Sequence, residues 1–68
     1  MYNKKKLRIA MIEKDYTVAK LAEAIGVAES TLYRKIRGDS EFTLSEMLAV
    51  CRVLGTNGKG IFFDSELA

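Results

Sequence analysis

Between positions 28 and 37 the 68-residue chain carries Glu29, Ser30, Tyr33, Arg34 and Arg37 interleaved with Leu32 and Ile36. At helical spacing Leu32 and Ile36 turn to one side, and the five polar residues lie on or beside the other. The polar set combines guanidinium donors, an acceptor carboxylate and hydroxyls that both donate and accept. Such a face suits recognition through hydrogen bonds and does not suit bond making. With no His and only Cys51, thiolate–imidazole catalysis and the usual zinc sites cannot be assembled within one chain. The carboxylates are scattered and no phosphate loop is present, so neither enzymatic activity nor a cofactor or metal is expected.

Four amphipathic segments must position that face. From Lys4 to Lys14, Leu7, Ala10 and Met11 recur at helical spacing, and Asp15, which tolerates the left-handed conformation, should end this helix. Thr17 offers a hydroxyl cap to a second helix with Leu21, Ala22 and Ile25 on one face, stopped at Gly26. Val27 then returns to the core, and a third helix follows with Leu32 and Ile36 inward and Glu29 near its positive end, closing at Gly38. In Phe42-Thr43-Leu44-Ser45-Glu46-Met47, Thr43 and Glu46 form a capping box and Phe42 and Met47 stand at the spacing of a hydrophobic staple. Leu44, Met47, Leu48, Cys51 and Leu54 continue as one apolar stripe to Gly55, which places Cys51 in the core.

Beyond Gly55 the run Thr56-Asn57-Gly58-Lys59-Gly60 is rich in breakers, and Ile61-Phe62-Phe63 is a short apolar patch. A fifth helix capped by Asn57 would carry Gly58 and Gly60 at about 1 kcal/mol each. The expectation is one all-α domain, a compact bundle of four to five short helices, with residues 1–3 disordered and 56–68 either closing the core or mediating dimerisation. No stretch approaches the roughly 18 apolar residues of a membrane span, and a single Cys makes no disulfide within one chain, so a reducing cytoplasm is expected.

Charge is unevenly distributed. Residues 1 to 38 carry nine Lys or Arg against four Asp or Glu, and residues 39 to 68 carry two against five. A polyanion would be drawn to the first half and repelled by the second. Ordinary solvated surface charge also accounts for a net +2.

The arrangement Thr17-Val18-Ala19-Lys20-Leu21-Ala22-Glu23-Ala24-Ile25-Gly26-Val27, followed by Ser30-Thr31-Leu32 and Arg37-Gly38, resembles the phage-repressor and Cro-like helix-turn-helix family. The segment Arg37 to Glu46 looks like small phage-encoded regulators of Gram-positive hosts. In such a fold Ala22 is the small residue where two helices cross, Gly26 makes the turn, and Leu21, Ile25, Val27 and Leu32 share the core. Three positions depart from the family pattern. Val18 stands where many relatives carry a Gln that touches the DNA backbone, Ala28 replaces a common Ser or Thr cap, and Lys35 occupies a position often apolar.

The resemblance implies control of transcription, with residues 28–37 as the recognition helix in the major groove of double-stranded DNA. It makes Glu29, Ser30, Tyr33 and Arg34 the base-contact candidates, because the first part of that helix reaches base edges. Arg34 can donate a bidentate pair to guanine, Glu29 can accept from cytosine or simply stabilise the helix end, and Tyr33 can pack on a thymine methyl or bind a phosphate. Thr17, Lys20, Lys35 and Arg37 are the phosphate candidates. Lys4, Lys5 and Lys6 form either an arm along the DNA backbone or a solvated run.

Family members bind pseudo-palindromic operators as dimers, which implies a homodimer here, with Ile61, Phe62 and Phe63 as candidate interface and closure of the monomer core as the alternative. A rival reading makes the chain a protein-interaction module that binds another regulator instead of DNA. Its motives are the modest charge and Glu29 on the polar face.

Overall fold

The computed structural model describes residues 2–56 and 60–62. Among these residues four helices occur in the order α1 (Lys4–Glu13), α2 (Val18–Ile25), α3 (Glu29–Arg37) and α4 (Leu44–Leu54), without strands. Each begins at a residue whose chemistry suits the task, with one exception. The side chains of Asn3, Thr17 and Thr43 accept from the backbone N–H groups of Lys6, Lys20 and Glu46, whereas Ala28 at the head of α3 has nothing to offer. The capping box at α4 is complete, because the Glu46 carboxylate accepts the Thr43 N–H at 2.9 Å.

All four helices end in the same way, with a left-handed residue that turns the chain back. Gly26 takes φ +82° and lets the N–H of Val27 reach the carbonyl of Ala22 at 3.0 Å, which returns Val27 to the core. After α1 the same task falls to Asp15 at φ +59°, the one non-glycine with positive φ among the described residues. The Tyr16 N–H then bonds the Met11 carbonyl at 2.8 Å and directs Tyr16 inward.

α2 packs against both α3 and α4. Leu7, Leu21, Leu32, Val50 and Leu54 are the largest fully buried side chains, and Ala22 at the crossing is also buried. Burying each of the larger ones contributes about 1.5–3 kcal/mol. Among the described residues no polar or charged residue is buried.

Three expectations are corrected. The core side of α4 is Val50, Cys51 and Leu54 with Met47, while Leu44 and Leu48 are 61% and 49% exposed. The apolar stripe read from spacing is wider than the surface its neighbours cover, and Val50 takes the place assigned to Leu48. Residues 2 and 3 are ordered: Asn3 caps α1 and Tyr2 packs against the core. Lys4, Lys5 and Lys6 are the first turn of α1 and not an arm. Ile61 is 6% exposed and its carbonyl accepts the Asn3 N–H at 2.6 Å, so of the two places the sequence left open for it the structure puts it in the monomer core. Gly60, Ile61 and Phe62 form a turn, whereas Asn57, Gly58 and Phe63 lie outside the described residues.

Candidate nucleic-acid interface

The Gly26 turn sets α2 and α3 against each other so that α3 shows one side to the core and the other to water. Leu32 is completely buried and Ile36 partly so, while Glu29, Ser30, Tyr33, Arg34 and Arg37 are all exposed. Tyr33 keeps 48% of its surface accessible, a large area for an aromatic side chain with no packing duty. Among the described residues, no hydrogen bond or ion pair engages the side chains of Glu29, Tyr33 or Arg34. Their donors and acceptors remain available to an outside partner, and Glu29 also sits in the first turn of α3, where the helix dipole favours it.

The four expected phosphate contacts separate into three groups. Thr17 lies at the N-cap of α2 with its hydroxyl accepting the Lys20 N–H at 3.1 Å, and Lys20 is exposed beside it. An anion there would meet free amides of the first turn together with the lysine ammonium. Arg37, two-thirds exposed, donates through Nε to Asp39 at 3.1 Å and pairs with the same carboxylate through its terminal nitrogen. This solvent-facing pair can open toward a stronger anion.

Lys35 differs from both. Its ammonium lies 2.9 Å from the Glu46 carboxylate and donates to the Glu41 carbonyl at 3.0 Å, with only 12% of the side chain exposed. In this structure its charge is paired within the molecule, unlike that of Lys20. The ammonium thus links α3 to the first turn of α4.

The structure adds residues that periodicity did not single out. The hydroxyl of Tyr2 donates to the carbonyl of Ile36 in the last turn of α3, and its ring packs on Phe42 and Phe62 with centroids 5.2 and 5.7 Å away. Phe42 and Phe62 meet edge to face at 5.2 Å. The available signal was Asn3, a good N-cap immediately before an amphipathic run, which implies that the residue before it is also placed.

Three side chains have shifted ionisation, and in Tyr2 burial raises the pKa of the hydroxyl. Glu46 titrates below the usual carboxylate range, chiefly because its charged form accepts the Thr43 N–H and then because of the Lys35 ammonium. Burial pushes the Cys51 thiol upward, so Cys51 serves as a small core residue. Among the described residues no group of His, Cys, Asp or Glu could hold a metal ion, and no helix is long and apolar enough to cross a membrane.

Two short helices crossing at Ala22 around a glycine turn, the second with an exposed polar face, define a helix-turn-helix DNA-binding domain. The sequence model of the Cro/C1-type HTH DNA-binding domain matches residues 6–59, and the chain belongs to that family. Its partner is therefore double-stranded DNA. Neither a curated protein nor a solved structure matches the chain.

Proposed function

We propose that this protein is a sequence-specific transcriptional regulator, a Cro-like repressor that binds a pseudo-palindromic operator as a homodimer in the cytoplasm. The observation that carries the reading is the division of α3, whose inner side is locked by Leu32 and Ile36 while Glu29, Ser30, Tyr33 and Arg34 stand exposed on the outer side. A helix of nine residues held this way fits the major groove and presents its first two turns to base edges.

Arg34 is the principal base reader, with Glu29, Ser30 and Tyr33 shaping the choice around it. Thr17, the α2 amides and Lys20 hold one phosphate, and Arg37 leaves Asp39 to bind another. A second copy supplies the second half-site, about one helical turn away.

The test is enrichment of randomised duplex DNA by the purified protein at near-physiological salt, with sequencing of the bound pool. A dyad-symmetric consensus is expected. Enrichment of no sequence by a protein whose helical circular dichroism is intact overturns the reading.

A further inference from the structure

The last turn of any α-helix leaves four carbonyls without partners inside the helix. In α3 these belong to Arg34, Lys35, Ile36 and Arg37. The first two are satisfied locally: the Gly38 N–H reaches both, and the Asp39 N–H bonds the Arg34 carbonyl at 2.9 Å. The other two are met from the opposite end of the chain. The hydroxyl of Tyr2 donates to the Ile36 carbonyl, and the ammonium of Lys4 approaches the Arg37 carbonyl at 3.4 Å.

Tyr2 is itself firmly held. Its ring fits against Phe42, which begins the staple of α4, and against Phe62, while the Asn3 N–H bonds the Ile61 carbonyl at 2.6 Å. Burial raises the pKa of Tyr2, so its hydroxyl keeps the proton it donates through the neutral range. Tyr2, Lys4 and Phe62 all lie outside the stretch 6–59 that matches the family, whereas Ile36 and Phe42 lie within it.

We infer that Tyr2 is a positioning residue for DNA recognition: through its hydroxyl bond to the Ile36 carbonyl it fixes the C-terminal turn of α3 and thereby the direction in which Arg34 and Arg37 meet DNA. The inference rests on the proposed function for its DNA component and is independent of it for the helix itself. Tyr2 touches no DNA. It works by reducing the number of arrangements that the end of α3 must give up on binding, which is how preorganisation adds affinity.

The experiment compares wild type, Tyr2→Phe and Tyr2→Ala in full-length protein. Tyr2→Phe removes only the hydroxyl and keeps the ring contacts, whereas Tyr2→Ala removes both. Amide hydrogen exchange in the absence of DNA should quicken at Ile36, Arg37 and Gly38 in Tyr2→Phe, with Leu21 and Leu54 unchanged. Affinity for the duplex selected by wild type should fall roughly three- to tenfold, the factor a single hydrogen bond supplies, with nonspecific binding preserved.

Phenylalanine should restore most of the thermal stability lost in Tyr2→Ala without restoring specific affinity, a split that a purely structural role would not produce. Unchanged exchange or unchanged affinity in Tyr2→Phe overturns the inference. If wild type binds no duplex, the functional reading fails, and the exchange comparison alone decides whether Tyr2 holds the helix end.

Discussion

The ammonium of Lys35 in α3 lies 2.9 Å from the carboxylate of Glu46 in the first turn of α4. The same Glu46 oxygen accepts the backbone N–H of Thr43. One carboxylate therefore starts α4 and ties it to α3, and the two roles can be separated by substitution. Glu46→Gln keeps an acceptor for Thr43 and loses the charge, whereas Glu46→Ala loses both. The expected costs are about 0.5 kcal/mol and about 1–2 kcal/mol respectively. Urea denaturation followed by circular dichroism measures them, and equal losses would refute the division.

The same carboxylate has a pH signature. Its pKa is lowered on folding, so its contribution to stability is present above the unfolded-state value, near 4.3, and disappears as pH falls through the lower folded value. The stability gap between wild type and Glu46→Gln should therefore be largest near pH 7 and shrink in acid. A gap that stays constant from pH 7 to pH 2.5 would show that the charge plays no part.

Lysines on the two helices should behave oppositely in salt titrations. Lys20→Gln should flatten the slope of log affinity against log salt by about 0.9, the value of one phosphate contact, and leave folding intact. Lys35→Gln should leave the slope unchanged and lower the melting temperature, because its charge is spent inside the molecule. A flattened slope for Lys35→Gln would return that residue to the DNA surface.

Arg34→Ala should weaken binding to the best operator by about 1–3 kcal/mol while nonspecific binding changes less. Since the guanidinium makes no hydrogen bond or ion pair among the described residues, stability should stay within about 0.5 kcal/mol of wild type. Equal weakening on all sequences would make Arg34 a backbone contact and not a base reader.

Asp15 is the weak link among the helix ends, holding φ +59° at a cost glycine does not incur and placing a negative charge beside the negative end of α1. Asp15→Gly should stabilise the domain by about 1 kcal/mol, visible as a rise in melting temperature of roughly 4–8 °C. A fall in melting temperature would mean that the carboxylate has a partner of greater value than the strain.

Much of the fold was legible in the residues themselves because its signals are local. A cap bonds an amide three residues ahead and a left-handed glycine ends its own helix, so Thr17, Gly26, Gly38, Thr43 and Gly55 mark boundaries without knowledge of the neighbours. The outward face of α3 follows in the same way, since Leu32 and Ile36 can turn inward only by turning Ser30, Tyr33 and Arg34 outward.

Where spacing leaves several residues equally apolar or equally charged, the packed neighbours decide. They chose Val50 over Leu48 for the core, drew Ile61 inside, and placed an ammonium of α3 against a carboxylate of α4. Tyr2 meets Ile36 across 34 positions of sequence, a contact that no periodicity encodes. The sequence by itself thus determined where the helices begin and end and which way α3 faces, because those are effects of bonds and spacing within a turn or two. Only the tertiary structure decided which charges are paired internally and which face solvent, because that depends on groups distant in the chain arriving within hydrogen-bonding reach.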